Sequence, residues 1–196
     1  LYLFVQLKPH SLFNRDGADL LLEAKVPMTL AALGGSVDVP TPSGGRVRVT
    51  IPAGTQSGHR FRLRGKGMPV VNRSNKGDLY VAIQVANNNL FERDGMDLYF
   101  EAPIPFEIAI LGGTINVPGL ESKIALKIPS YTQTGKIFRI KGKGVKSVRS
   151  NSTGDLYCRV HIETPVNLTK EQKDLLSQLD NSFRKGKSKH IPKEHT

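Results

Sequence analysis

The sequence predicts an all-β protein: two small β-sandwich domains in tandem, each with one short helix, followed by a C-terminal helix. Three observations lead there. Apolar and polar residues alternate with period two through most of the chain, the mark of strands with one buried and one wet face. A block of about 78 residues occurs twice in register. After residue 167 the alternation gives way to apolar residues at helical spacing.

The duplication sets the organisation. Leu12-Phe13-Asn14-Arg15-Asp16-Gly17-Ala18-Asp19-Leu20 returns as Leu90-Phe91-Glu92-Arg93-Asp94-Gly95-Met96-Asp97-Leu98, and Leu33-Gly34-Gly35 as Leu111-Gly112-Gly113. Further on, Thr55-Gln56-Ser57-Gly58 returns as Thr132-Gln133-Thr134-Gly135, and Gly65-Lys66-Gly67 as Gly142-Lys143-Gly144. Gly77-Asp78-Leu79-Tyr80 returns as Gly154-Asp155-Leu156-Tyr157. One residue is lost in the loop after Val39-Pro40, where the shift falls from 78 to 77. The domains are therefore expected at residues 8–86 and 87–166. Residues 1–7 match Leu79 to Val85 and read as the last strand of a further, upstream copy.

Each element of a unit has a local reason. Leu20, Leu22 and Ala24 alternate with Leu21, Glu23 and Lys25, and Val37 and Val39 flank Asp38. Val47, Val49 and Ile51 alternate with Arg46, Arg48 and Thr50, and Phe61 and Leu63 with Arg60, Arg62 and Arg64. Turn residues separate the runs at Ser43-Gly44-Gly45, Pro52-Ala53-Gly54 and Asn75-Lys76-Gly77. Met28 to Leu33 breaks the alternation. Pro27 before it and Gly34-Gly35 after it suit a short helix, repeated at Phe106 to Leu111 after Pro105. A domain this small buries only ~60–65% of its unfolded surface, so two sheets packed face to face make the fullest use of it. The connection Ala86-Asn87-Asn88-Asn89 is short and polar, and little shared core is expected across it.

The C-terminus has its own logic. Thr169-Lys170-Glu171-Gln172 has the form of a capping box. Leu175, Leu176, Leu179 and Phe183 then fall on one face of a helix over residues 167–183. That stripe either meets a second copy, making a homodimer, or folds back on its own sandwich. Residues 184–196 read as a basic disordered tail.

Composition narrows the function classes. The 196 residues are 38% hydrophobic and 23% charged, enough for a globular core. No stretch approaches the ~20 apolar residues of a membrane-spanning helix. A single cysteine, Cys158, excludes an internal disulfide framework and a multi-cysteine zinc site. It also points to a reducing compartment, the cytoplasm or an organelle matrix.

No catalytic constellation stands out: there is no Gly-X-Ser-X-Gly, no His-Glu-X-X-His and no phosphate loop ending in Gly-Lys-Ser/Thr. The chain is expected not to be an enzyme and to need no cofactor. Cys158 and His161 are three apart on a strand, so they face opposite ways and make no metal pair. Asp16 with Asp19, and Asp94 with Asp97, suit turn devices that bond backbone N–H groups. Gly65-Lys66-Gly67 suits a tight strand exit at positive φ.

Lys and Arg number 28 against 17 Asp and Glu, a formal charge of +11. Arg60, Arg62, Arg64 and Lys66 are expected on one face of one strand, with Arg139, Lys141 and Lys143 at matching places. Such a stripe could contact an acidic partner, bind nucleic acid, or simply keep the protein solvated. Base-stacking aromatics are missing from that face, which weighs against nucleic acid.

Taken together, these motifs resemble the C-terminal substrate-binding region of DnaJ-type co-chaperones. The stretches that carry the resemblance are Lys8-Pro9-His10-Ser11-Leu12-Phe13-Asn14-Arg15-Asp16-Gly17, Ala32-Leu33-Gly34-Gly35-Ser36-Val37-Asp38-Val39-Pro40-Thr41, and Ile51-Pro52-Ala53-Gly54-Thr55-Gln56-Ser57-Gly58. Arg62-Leu63-Arg64-Gly65-Lys66-Gly67 and the closing Gly154 to Val166 complete them. The resemblance implies two β-sandwiches in series and a dimerising segment. It also implies a chain that holds unfolded polypeptide for a DnaK-type ATP-driven chaperone, by strand addition beside a shallow apolar groove. Carried over by position, that groove is lined by Leu22, Ala24, Val37 and Val39, and by Phe100, Ala102, Ile115 and Val117. No His-Pro-Asp and no Cys-X-X-Cys-X-Gly-X-Gly occurs in these residues, so substrate binding without activation of the partner is expected. The alternatives are a basic tandem module for nucleic acid and a structural dimerisation unit.

Overall fold

The computed structural model describes residues 8, 10–69, 76–148 and 150–185. The expected strand over residues 1–7 lies outside the described residues; of the tail expected over residues 184–196, Arg184 and Lys185 belong to the C-terminal helix and the rest lies outside the described residues. The first unit contains β1 (Phe13–Asp16), β2 (Asp19–Val26), α1 (Met28–Leu33), β3 (Gly35–Pro40), β4 (Arg46–Ile51), β5 (Arg60–Leu63) and β6 (Leu79–Val85). The second contains β7 (Glu92–Asp94), β8 (Asp97–Pro105), α2 (Phe106–Leu111), β9 (Gly113–Val117), β10 (Ile124–Ile128), β11 (Ile137–Ile140) and β12 (Leu156–Glu163). A last helix, α3 (Lys170–Lys185), follows.

Each unit packs a four-stranded sheet against a two-stranded hairpin. The orders are β1-β2-β6-β5 with β3-β4, and β11-β12-β8-β7 with β9-β10. Period two alternation places Leu20, Leu22, Ala24 and Val26 of β2 in the core, with Val39, Val49 and Ile51 facing them from the hairpin. The second unit repeats this with Leu98, Ala102, Ile104, Val117 and Ile128. At the centre of each sheet the strands run parallel: β2 beside β6 and β8 beside β12. A parallel pair needs a long crossover; in the first unit it runs through α1 and the β3-β4 hairpin, which form the second layer, and returns through β5 at the sheet edge.

The short helices start and stop where expected. Pro27 and Pro105 sit at their N-caps with φ near −60°, and Gly34 and Gly112 end them at φ 83 and 79. The capping box of α3 forms both of its bonds. The Gln172 N–H donates to Thr169 Oγ1 at 3.2 Å, and the Thr169 N–H to Gln172 Oε1 at 2.8 Å.

The junction departs from expectation. Met28 and Ala32 of the first unit are buried in the core cluster of the second, and Val85 packs against both clusters. The polar connection is short enough to press α1 onto the next sandwich, so its composition misleads about what lies beneath it. Residue polarity in a linker reports on the linker's own exposure, not on the surfaces it draws together.

Candidate functional site

The repeated motifs assemble a clasp rather than a ligand site. In the first unit the Gly65 N–H donates to Asp78 Oδ1 at 2.8 Å, and the Arg62 guanidinium holds Asp78 Oδ2 at 2.6 Å. The Asp78 N–H donates in turn to Asp19 Oδ1 at 2.7 Å. The second unit has the same network through Gly142, Asp155, Arg139 and Asp97, with distances within 0.1 Å. Gly65 and Gly142 both adopt φ 66, the strand exit their spacing suggests. Asp19 and Asp97 do bond backbone N–H groups. Their partners, however, lie far along the chain, outside their own hairpins.

These contacts hold both carboxyls below their ordinary value of 3.8: the Gly65 or Gly142 N–H contributes most, and the arginine adds to it. A lowered native value stabilises the fold above the unfolded value, and that contribution is lost as pH falls through the native one. The chain should lose stability from about pH 4 downward. The Asp78→Asn/Asp155→Asn variant should show a flatter dependence of its urea midpoint there. Parallel curves for the two proteins would refute the assignment.

The clasp changes the reading of the basic stripe. β5 ends at Leu63, so Arg64 and Lys66 stand on the turn, not on the strand with Arg60. Arg62 is engaged by Asp78, leaving Arg60, Arg64 and Lys66 exposed without forming a single strand face. Cys158 lies in the core between Leu156 and Val160, while His161 is exposed on the other side of β12. Burial pushes the Cys158 thiol up to about 11, which leaves it an unreactive core residue near neutral pH.

The eight residues carried over as a groove do not form one open channel. Leu22, Ala24, Val39, Ala102 and Val117 are buried between sheet and hairpin, where close packing leaves no room for another side chain. Val37, Phe100 and Ile115 are only partly covered.

An opening lies elsewhere, as a cleft of about 820 Å³ at the junction. Its floor is the outer face of the second sheet. Tyr99 and Tyr157 are ladder partners there, and their rings stack at 5.1 Å and 15°. Partial desolvation, then the nearby Asp94, raises the Tyr99 phenol above its ordinary value. The Asn87–Asn89 connection forms one wall with Phe91, and Ile137 stands opposite, at the start of β11. Phe100 is the one groove residue that reaches this cleft. Across the floor Arg159 pairs with Glu101 at 3.3 Å.

β11 has one ladder partner, β12, so its outer margin carries unpaired backbone groups beside the cleft. The other sheet margins, β1, β5, β7 and both strands of each hairpin, also have one neighbour each. The cleft escaped sequence reasoning because it needs a linker and a sheet face from different stretches. The Tyr157 ring, on the wet face of a strand beside Arg159, was its only signal. No helix among the described residues is long and apolar enough to cross a membrane.

The surface of α3 is just as exposed. None of its residues is buried, and Leu175, Leu179 and Phe183 are 57%, 41% and 43% exposed. Leu176 of the same stripe is partly covered.

A family model described as the DnaJ C terminal domain matches this chain twice, over residues 1–88 and residues 72–165.

Proposed function

The chain belongs to the DnaJ C-terminal domain family, a family of co-chaperones, and from that premise we propose that it binds extended segments of unfolded polypeptide for delivery to a DnaK-type chaperone. The observation that carries this reading is the coincidence of an open strand margin with an aromatic cleft. An extended segment pairs its backbone with the margin of β11, and its side chains on the outer face rest on Ile137, toward the Tyr99–Tyr157 floor. Backbone pairing is indifferent to sequence, so broad client choice follows without any bond-making group. The partly covered Val37 and Ile115 offer a second, shallower apolar strip on the hairpins.

Binding of an extended apolar peptide, followed by calorimetry, tests this. Tyr157→Ala removes an outward ring and leaves the core intact. Peptide affinity should fall roughly 2- to 12-fold, the range for one aromatic pair. Suppression of aggregation of a denatured model protein, without nucleotide, should weaken in step. An unchanged affinity would remove the cleft from the mechanism.

Dimerisation through α3 belongs to the same proposal. A lone helix of 16 residues is marginal in water, and the capping box and the Arg184–Asp180 pair add only a little. Pairing its apolar stripe with that of a second copy supplies the missing packing and sets two clefts in one assembly.

A further inference from the structure

Neither unit owns the junction cleft. Met28, Gln56 and Ser57 of the first unit line it with Phe91, Tyr99 and Ile137 of the second. Its shape therefore depends on how the units dock. Met28 and Ala32 are buried in the second core. The Arg93 Nε donates to Gly95 O at 2.9 Å within its own hairpin. The rest of its guanidinium crosses the junction, Nη1 donating to Thr55 O at 3.1 Å and Nη2 to Gly54 O at 3.2 Å. Gly54 lies so close to the Lys146 carbonyl that a Cβ there would overlap it.

The two carbonyls that Arg93 holds begin the run Gly54-Thr55-Gln56-Ser57, whose last two residues are cleft wall. The Ser57 Oγ accepts the Val85 N–H at 2.9 Å, so the wall is also tied to the end of β6. Bonds from a guanidinium are charge-assisted, and three from one planar fork fix an orientation as well as a distance. Resting on the reading of the cleft as a client site, we propose that Arg93 is a positioning residue: it docks the units and so builds the cleft, and a bound segment tightens the docking in return. A segment that touches both units binds only the docked arrangement, so its apparent affinity scales with the docked fraction. Linkage makes the effect mutual and equal in size.

The test is Gly54→Ala in the full chain. Residue 54 does not line the cleft, so no client contact is lost. The matching loop of the second unit carries Tyr131 at a left-handed φ of 62, so this turn accepts a side chain and the variant folds. Affinity for an extended apolar peptide, by calorimetry, should fall roughly fivefold or more, the lower end of common coupling factors. Arg93→Lys, which keeps the charge but loses the fork, should lower it likewise. A residue that only stabilised the fold would leave the affinity of the folded chain unchanged. Spin labels at Thr50→Cys and Lys127→Cys, exposed matching positions on β4 and β10, report the docking. Cys158 is buried and stays unlabelled. The distance distribution should broaden in Gly54→Ala, and saturating peptide should narrow it. Unchanged affinity in Gly54→Ala beside a loss in Tyr157→Ala would overturn the positioning role and leave the cleft as the client site. Unchanged affinity in both would remove the cleft and the role with it. A distribution indifferent to peptide would overturn the mutual coupling.

Discussion

Gly154→Ala is expected to lower the stability of the second unit by about 3 kcal/mol. Glycine is not needed there for its φ. It is needed because a Cβ would run into the Met96 carbonyl of the opposite hairpin. Relief requires the loop to move, and the loop carries a set of bonds. The Val145 N–H donates to Met96 O at 2.7 Å, the Gly154 N–H to Val145 O at 3.0 Å, and the Asp155 N–H to Asp97 Oδ1 at 2.7 Å. Overpacking alone costs roughly 1–3 kcal/mol, and each weakened bond adds about 1 kcal/mol. Gly142 is the control. It sits in the same clasp at φ 66, but a Cβ there meets nothing within 4 Å. Gly142→Ala should therefore cost only the left-handed strain, about 1–2 kcal/mol. Urea midpoints by circular dichroism measure both, and equal losses would show that backbone collision is not the cause.

Leu175→Asp/Leu179→Asp should convert a dimer into a monomer, a halving of the sedimentation mass. Both residues lie on the exposed stripe of α3, and Leu175 is more than half exposed in the single chain. Carboxylates at the centre of such a seam would be desolvated without partners, a penalty of several kcal/mol per ion and larger than the packing they replace. Among the described residues neither core cluster includes a residue of α3, so the unfolding of the sandwiches should be unaffected. A variant that keeps the parent mass would show that the stripe is not the seam. Loss of sandwich stability would show instead that the helix packs on its own chain in solution.

Much of this architecture is legible in residue order. The copies fold alike because the same turn and cap residues recur at the same spacing. Pro27 and Gly34 bound α1, as Pro105 and Gly112 bound α2, since one fixes φ before the helix and the other takes a positive φ after it. Alternation in β2 and β12 names the buried face correctly, down to Cys158. The site is less legible. Five of the eight position-matched groove residues are core residues, and alternation cannot distinguish a side chain packed against a hairpin from one facing an open groove. Arg62 looked like part of a free cationic face because its partner, Asp78, lies 16 positions away beyond a loop.

Local chemistry is short-ranged, so a stretch of sequence can declare its own conformation, its wet side and its end. On that basis the duplication, the two short helices, the capping box of α3 and the kinship of the chain were readable. The neighbour that meets each buried face is a different matter, because it comes from dozens of residues away and is chosen by shape and mutual burial. The parallel pairs β2–β6 and β8–β12, the Asp19 and Asp97 clasps, the burial of Met28 in the next unit and the Tyr99–Tyr157 cleft all arise in that way.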